Sequence, residues 1–338
     1  MSAVVTQTPS SPAKDKSGFL NSRVMVRFRR NRLAIIGLVI SAFFVLVAIF
    51  APLIAPPQGN CLRDLGVPAG SSVYNPFGEM FWKAIFAPPQ SCFSVYRISF
   101  SSVPTPPGVD GAILGTSAGL DIFYGLVWGA RTAFQLALLV VIPTLLIGIV
   151  VGSIAGYFGG WIDNLFMRLV DVIFAFPGLI LNIVIISILG RGIDKIALAF
   201  VLVGWAGYAR VIRGSILKVR ALEYVDAARS LGASNLQIIF KHVLPNSLTT
   251  ILAIVVLDFG TVPLSAAALS FLGLGTPEGY ADWGQLISYA RSFIIGPAGN
   301  PFGYWFVSFF PALTILLFGL GWSLLGDALR DALDPRET

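Results

Sequence analysis

The sequence predicts an all-α, polytopic integral membrane protein with six transmembrane helices. Of its 338 residues, 56% are apolar and only 12% are charged, whereas a soluble domain carries about 25% charged residues. The mean hydropathy is +0.80, and the basic residues behind the net charge of +6 lie mainly between long apolar runs. This composition excludes a soluble enzyme and a nucleic-acid-binding protein, and it predicts membrane lipid as the surroundings of the chain.

Six apolar segments are candidate membrane spans, because a helix needs about 20 apolar residues to cross a hydrocarbon core roughly 30 Å thick. The first segment, residues 33–54, contains no charged residue and is too long for the apolar region of a signal peptide. The other segments lie at residues 132–156, at 165–189, from Ile196 onward, at 248–271 and at 302–325.

The third and fourth segments are interrupted. Asp171 and Pro177 lie in the third, and we expect Pro177 to kink it because proline removes a backbone hydrogen bond. The uncharged part of the fourth segment ends just after Tyr208, at Ala209. Arg210 and Arg213 are therefore expected to extend to the membrane surface or to meet polar groups.

The basic residues predict the orientation. The segment before the first span contains seven Lys or Arg residues and one acidic residue. The segment between spans four and five contains six Lys or Arg residues and two acidic residues. Six spans place both segments on one side, which the positive-inside rule makes the cytoplasm. Both termini are then cytoplasmic, and the long segment after the first span lies outside.

The chain is divided at these membrane boundaries. Residues 1–16 have the composition of a disordered tail, and residues 17–32 read either as a basic amphipathic helix on the inner leaflet or as a charged segment that only fixes the topology. The predicted units are a cytoplasmic tail with that helix at 1–32, the first span at 33–54, an extracytoplasmic insertion at 55–111 and a transmembrane core at 112–338.

The outer insertion carries both cysteines, Cys61 and Cys92. A disulfide is chemically permitted outside the cytoplasm, and we expect one between these two residues. Prolines at 56–57, 88–89 and 104–107 favour an irregular cap. Such a cap would touch a solute receptor or only shield the membrane core.

The sequence predicts no catalytic residue, no metal site and no cofactor of the chain itself. It lacks the phosphate-binding GxxxxGK[ST] loop and the zinc-binding HExxH motif. Its two cysteines and single His242 do not form a metal-binding cluster of usual spacing.

The cytoplasmic segment between spans four and five predicts two short helices. Residues 223–232 favour the first helix, which Gly232 can end with a positive φ. Ser234 or Asn235 can cap the second helix, and Pro245 is expected to end it. A projection of this kind suits docking into a groove of a soluble partner, although a solvated charged loop would have the same pattern.

This segment resembles the coupling-loop signature of binding-protein-dependent ABC importer permeases, which reads E-A-A, three residues, Gly, nine residues and I-x-L-P. The matching positions, with the glutamate that begins the helix, are Glu223, Asp226, Ala227, Ala228, Gly232, Leu244 and Pro245. Asp226 replaces the first Glu, and His242 stands where an apolar residue is usual. The resemblance implies that these residues contact ATPase subunits.

Further motifs resemble dipeptide and oligopeptide permeases, with the C-type subunit as the nearest match. They lie at residues 114–116, 129–131, 156–163, 175–177, 270–275 and 325–335. The resemblance covers about residues 17–54 and 112–336 and leaves 55–111 as an insertion. It implies a type I, methionine-permease-like core with cytoplasmic coupling helices.

The resemblance implies one permease subunit of an ATP-driven importer of di- or oligopeptides in a prokaryotic cytoplasmic membrane. It also implies a second homologous permease subunit, two cytoplasmic ABC ATPase subunits that bind the ATP, and an extracytoplasmic solute-binding protein. One alternative is an importer of the same family for another solute, such as nickel chelates. An ion-coupled secondary transporter is the alternative from another class, but such proteins show paired intramembrane ionisable groups and inverted repeats.

Candidate residues for the translocation path are fewer. Asp258 is the only acid well inside a span, where a charge costs about 2.5 to 3.5 kcal/mol on insertion scales. It either faces a watery cavity and meets a peptide amine or makes a structural hydrogen bond to a neighbouring helix. Phe174 and Phe176 are further candidates, although aromatic residues more often face lipid or the core.

A glycine repeat in the second span allows another backbone to approach closely. Gly148, Gly152 and Gly156 are spaced by four residues and so share one helix face. Tight packing inside the chain is the more common use of such a repeat, and a contact between subunits is the alternative.

Overall fold

The computed structural model describes residues 28–29, 31–66, 78–297 and 299–333. These residues form thirteen α-helices and one antiparallel two-stranded hairpin. The predicted tail and nearly all of the predicted amphipathic helix lie outside the described residues. The elements are α1 Arg32–Ile49, α2 Ala51–Ile54, α3 Asn60–Leu65, α4 Glu79–Phe86, β1 Thr116–Ser117, β2 Leu120–Asp121, α5 Ile122–Phe158, α6 Gly160–Phe174, α7 Gly178–Leu189, α8 Ile193–Arg220, α9 Glu223–Ser230, α10 Asn235–Ile238, α11 Leu244–Phe271, α12 Trp283–Ala290 and α13 Trp305–Leu333.

Five of these helices, α1, α5, α8, α11 and α13, are long and apolar enough to cross a membrane. A sixth span results if α6 and α7 are counted together, although they are bent by 84° at a short break. The prediction of an all-α protein with six spans is confirmed in this form. The expected kink at Pro177 is a break, because proline has no N–H to donate and disfavours helix in the residue before it.

Several helices differ in length from the predicted spans, because apolarity marks the part of a helix inside the membrane and not its ends. Helix α5 begins at Ile122 instead of residue 132, where the Asp121 carboxylate accepts a hydrogen bond from the Phe123 N–H at 2.9 Å. Helix α13 continues to Leu333. The first predicted span is shorter, since α1 ends at Ile49 and Pro52 lies at the start of the separate helix α2.

The glycine repeat of α5 packs against α8 within this chain. A methyl group added at Gly152 would lie 2.7 Å from the Ala209 carbonyl oxygen, and one at Gly156 would lie 3.1 Å from that of Arg213. Gly148 faces Tyr208 equally closely. The repeat therefore serves intramolecular packing, and any side chain in its place would push the two helices apart.

The first and last spans form a second packed pair. Gly37 of α1 faces Leu324 of α13, and an added methyl group would lie 2.8 Å from its Cβ. Phe44, Trp283 and Phe318 meet edge to face, with ring centroids 5.2 to 5.9 Å apart. Edge-to-face pairs add to the stability gained from apolar burial, so this cluster joins α1, α12 and α13.

The segment that follows the first span, here called the cap, comprises the described residues 55–66 and 78–111. It contains the short helices α3 and α4, so the expected irregular cap is partly helical. The cap carries a disulfide between Cys61 and Cys92. The Trp128 indole of α5 donates to the Ala55 carbonyl at 3.0 Å, and the Arg131 guanidinium donates to the carbonyls at the end of α4. The cap therefore rests on the N-terminal part of α5.

Candidate functional site

The most distinctive part of the chain is the connection between α8 and α11, residues 221–245, here called the knob. Its first helix, α9, ends as predicted at Gly232, which has a φ of 84°. The Gly232 N–H donates to the Arg229 carbonyl at 3.0 Å, and the Ala233 N–H donates to the Ala228 carbonyl at 3.1 Å. This is the hydrogen-bond pattern of a Schellman motif, in which glycine takes the left-handed position.

The second knob helix, α10, begins with a capping box. The Ser234 hydroxyl accepts from the Gln237 N–H at 3.3 Å, and the Gln237 side chain accepts from the Ser234 N–H at 3.0 Å. This reciprocal pair satisfies two N–H groups that a helix start leaves open. Of the two predicted caps, Ser234 is therefore correct, whereas Asn235 accepts a hydrogen bond from the Tyr157 hydroxyl at 2.8 Å.

The prediction that Pro245 ends the second helix is wrong. Helix α10 passes through one π-helical turn, Ile239–Val243, directly into α11. Pro245 lies in the first turn of α11, where a helix tolerates proline. The knob is thus continuous with a membrane span, which gives it a direct mechanical connection to the membrane core.

One face of the knob is anchored in an apolar cluster. Val225 of α9, Ile238 of α10 and Val243 of the π turn are fully buried against Ile212 and Ile216 of α8. The opposite face carries the residues matched to the coupling-loop signature. Of these, Glu223, Asp226, Ala227, Gly232 and Pro245 are exposed, and Ala228 and Leu244 are half-buried.

Three exposed apolar side chains on the knob were missed by the sequence reasoning. Leu231 is 89% exposed, and Leu236 and Phe240 are each 65% exposed. Large apolar side chains grouped on an otherwise polar, water-facing projection mark an interaction surface. Their position beside Gly232 and inside the coupling-loop motif could have drawn attention to them. The sequence alone, however, does not say which face of each knob helix packs on α8 and which is exposed.

The knob is also tied to the end of α5 through Arg220. This guanidinium donates to the carbonyls of Gly156 and Tyr157, at 3.2 and 2.5 Å, and a basic group at a helix C-terminus stabilises the exposed carbonyls. Together with the Tyr157–Asn235 hydrogen bond, this contact joins the knob to α5. Sequence reasoning did not identify either contact, because the partners are distant in the chain.

The charged pair on the knob surface is weakly held. The Arg229 guanidinium lies 2.9 Å from the Asp226 carboxylate, and both side chains are more than half exposed. Exposed ion pairs of this kind contribute about 0 to 1 kcal/mol. Both groups can therefore exchange this contact for one with a partner at little cost.

The two arginines in the fourth span are paired with acids of α6. The Arg213 guanidinium lies 2.5 Å from the Asp163 carboxylate, and Arg210 pairs with Asp171. The expectation that these arginines meet polar groups is confirmed. Arg210 also lies 4.4 Å from the centre of the Phe174 ring, and both Phe174 and Phe176 are about half exposed at the break between α6 and α7.

Asp258 lies near the middle of α11 and has partners on two helices. The Tyr208 hydroxyl of α8 donates to Asp258 Oδ2 at 2.6 Å, and the Thr261 hydroxyl donates to Asp258 Oδ1 at 3.0 Å. The carboxylate also borders a cavity of about 270 Å³ between α5, α8 and α11. Both predicted environments, a cavity and a helix-bridging hydrogen bond, are therefore present. The 13 residues from Pro245 place Asp258 about 20 Å along α11 from the knob.

The end of the core that contacts the cap is organised by Asp282, which caps α12. Its carboxylate accepts from the Gly284 N–H at 2.9 Å, from the Thr276 hydroxyl at 3.0 Å and from the Ser270 hydroxyl. Burial raises the pKa of Asp282. Burial, with the nearby Asp282 charge, raises the pKa of Tyr280 to about 12, and the Tyr280 ring stacks on Phe93 of the cap.

Comparison with known proteins identifies related chains. The family model for the binding-protein-dependent transport system inner membrane component matches residues 148–338. A second family model, the N-terminal transmembrane domain of oligopeptide transport permease C, matches residues 20–66. The first model covers the knob and both of the helices that flank it.

Individual relatives match over most of the chain. The dipeptide transport system permease protein of Alkalihalophilus pseudofirmus is 35% identical over 98% of this chain and 96% of its own length. The oligopeptide transport system permease protein of Bacillus subtilis is 33% identical over 95% of this chain and 91% of its own length. The glutathione transport system permease protein of Pectobacterium atrosepticum is 39% identical over 65% of this chain and 71% of its own length. The chain therefore belongs to the family of binding-protein-dependent transport system inner membrane components.

Proposed function

We propose that the chain is one permease subunit of an ATP-driven importer in a bacterial cytoplasmic membrane. With a second homologous permease it forms the transmembrane path for di- or oligopeptides. Relatives of nearly full length that are named for dipeptide and oligopeptide transport support this substrate class. The chain itself performs no catalysis, and two cytoplasmic ABC ATPase subunits bind and hydrolyse the ATP.

The knob is the observation that carries this proposal. Its exposed Leu231, Leu236 and Phe240 and its exposed charged pair Asp226–Arg229 supply the apolar side chains and the polar groups that a docking surface combines. Each ATPase subunit receives one such knob in a groove. Because the knob continues into α11 and is bonded to α5, movement of the ATPases is passed to the membrane helices.

The topology follows from the position of the knob. The positive-inside rule assigns the knob and both termini to the cytoplasm, and the cap then lies outside. Its disulfide supports this side, because such bonds persist outside the cytoplasm. A solute-binding protein delivers the peptide at the outer face. The cap and the loop that contains Tyr280 lie at this end of the core.

The path is proposed to run beside α5, α8, α11 and the broken pair α6–α7. The cavity beside Asp258 and the half-exposed rings of Phe174 and Phe176 are the features of these helices that support this course. The break at Pro177 frees the α6–α7 junction from regular helix, so it can move as the ATPases close.

The test is to purify the importer with its ATPase subunits from cells that express Gly232→Pro. Proline cannot take the φ of 84° at this position and removes the N–H bonded to Arg229. We expect normal amounts of permease in the membrane, loss of the ATPases and loss of trialanine uptake. Gly66→Pro is the matched control, because Gly66 ends α3 in the cap with a φ of 100°.

Asp226→Lys tests the same surface by charge. It replaces the ion pair with two like charges, and Glu79→Lys makes the same reversal on an exposed cap residue. Loss of the ATPases is expected for Asp226→Lys alone. Retention of both ATPases and normal uptake in Gly232→Pro and Asp226→Lys would contradict the assignment of the knob.

A further inference from the structure

Asp258 is an acid in the middle of an otherwise apolar helix. It lies in the part of α11 that is apolar enough to cross a membrane, where an ionised side chain is unfavourable unless it is paired or meets water. Such residues face a bundle interior or a watery cavity and mark the passage of substrates or ions. The docking surface of the knob gives no reason for a carboxylate at this depth.

The hydrogen bonds of Asp258 fix the carboxylate without using all its capacity. An ionised carboxylate has about four lone-pair positions on its two oxygens. Tyr208 donates to one oxygen and Thr261 to the other. The carboxylate is thereby held in one orientation between α8 and α11, and about two acceptor positions are left for a further donor.

The adjoining cavity is shaped for a small polar group. It has a volume of about 270 Å³, which is enough for several water molecules or for one small polar group. Four residues with hydroxyl groups line it together with Asp258, while Phe200 and Val262 supply apolar walls; the four are Thr144, Tyr208, Thr261 and Ser265. Hydroxyl oxygens accept hydrogen bonds as well as donate them, so they suit a ligand that carries several donors.

The charge at the cavity favours a cationic ligand. Arg210 and Arg213 of α8 are paired with Asp171 and Asp163, so their charges are already balanced. A primary ammonium group has three donors and one positive charge, which matches one carboxylate surrounded by hydroxyl oxygens. A neutral or anionic group would leave the carboxylate charge uncompensated.

We propose that Asp258 binds the protonated amino group of the transported peptide in the cavity between α5, α8 and α11. Tyr208 and Thr261 position the carboxylate, and the hydroxyls of Thr144 and Ser265 accept the remaining ammonium donors. The inference rests on the proposed function and adds a site that selects solutes with a free amine. The contact is lost as the path opens to the other side.

The direct test is carboxyl labelling of the assembled importer in lipid nanodiscs. Dicyclohexylcarbodiimide reacts with accessible intramembrane carboxyls, and mass spectrometry measures the adduct at Asp258. Trialaninamide carries a free amine, and N-acetyl-trialaninamide is the matched neutral peptide. At a trialaninamide concentration about ten times its Kd, we expect occupancy of the site to lower the adduct roughly tenfold, and the acetylated peptide to leave it unchanged.

Three results would overturn the proposal: no adduct in the wild type, no protection by trialaninamide, or equal protection by both peptides. Asp258→Asn provides the unlabelled blank. Trialanine uptake by the wild-type importer in the same preparation separates this test from that of the proposed function. Normal uptake without protection removes the amine site alone, whereas absence of uptake removes the importer assignment.

Uptake by variants supplies a second readout. Asp258→Asn keeps an oxygen for the Tyr208 hydroxyl but removes the charge, so a merely structural bridge would leave uptake unchanged. We expect a fall of roughly tenfold with normal complex yield. Asp327→Asn makes the same change at an exposed acid of α13 and is expected to import normally. Full uptake by Asp258→Asn would contradict the proposal.

Discussion

The knob and the cap are built in different ways. In the knob, Gly232 bonds to Arg229 and Ser234 to Gln237, three residues away in the chain. In the cap, Cys61 is bonded to Cys92, 31 residues away, and the Ala55 carbonyl accepts from Trp128, 73 residues away. Local contacts require little loop closure, whereas distant contacts must offset the entropy of long loops.

This difference predicts different consequences of mutation. The turns of the knob form from their own sequence, so changes on its exposed face should alter docking and leave the fold intact. The cap depends on partners in α5 and on a disulfide, so changes there should alter its stability and leave ATPase docking intact. Four predictions test this contrast, in decreasing order of expected effect.

The largest effect is expected from Phe240→Asp on the knob. The ring is 65% exposed, so its loss costs the isolated chain little, but a buried charge at a docking centre costs about 2 kcal/mol or more of binding. Copurification of the ATPase subunits should fall at least tenfold, with unchanged thermal stability of the permease. Phe100→Asp is the control, because this cap residue is 96% exposed. If both variants retain the ATPases, the apolar patch is not a docking surface.

The next effect concerns the disulfide of the cap. Replacing Cys61 and Cys92 by Ser releases a loop of 31 residues, which the chain-entropy model values at about 3 to 4 kcal/mol. The cap should then be cleaved faster by an external protease while the ATPases remain bound. Mass spectrometry of the non-reduced wild-type protein, taken from its own membrane, first tests whether the disulfide is present. Two free thiols in that sample would refute the disulfide, and equal cleavage rates would refute its stabilising role.

The same contrast explains what could be predicted from the sequence. Gly232 and Ser234 were assigned correctly because a C-terminal glycine and a capping serine act through their immediate neighbours. The six spans followed from apolar run length, which is also a local property. The motif at 223–245 located the candidate site for the same reason.

The errors arose where distant residues decide the structure. Pro245 does not end a helix, because burial of Ile238 and Val243 on α8 carries the chain through a π turn. The Tyr208 partner of Asp258 is 50 residues away, so sequence could only offer a cavity and a helix bridge as alternatives. Exposure of Leu231 likewise depends on how the knob packs on α8.

A smaller effect is expected from Arg131→Met, which removes the guanidinium from the end of α4. Its hydrogen bonds to the carbonyls of Ala84 and Ile85 are charge-assisted. Because Arg131 is half-buried and water can replace it at both carbonyls, their combined loss costs about 1.5 to 3 kcal/mol. Faster proteolysis of the cap is again expected, with less change than for the disulfide variant. Arg131→Lys keeps the charge but lacks the planar guanidinium. Its cap should therefore be cleaved at a rate between those of the wild type and Arg131→Met. Loss of the ATPases with an unchanged rate of cap proteolysis would contradict the expectation that changes in the cap leave ATPase docking intact.

The smallest effect is expected from Tyr157→Phe, which tests the connection between the knob and helix α5. The hydroxyl donates to Asn235, and a neutral hydrogen bond contributes about 0.5 to 1.5 kcal/mol. This bond joins the knob to a distant part of the chain, since Tyr157 belongs to α5. We therefore expect the ATPases to remain bound and to hydrolyse ATP, while trialanine uptake per ATP falls about twofold to tenfold. Tyr96→Phe in the cap is the matched control and should leave this ratio unchanged. An unchanged ratio in Tyr157→Phe would mean that this hydrogen bond does not pass the movement of the knob to α5.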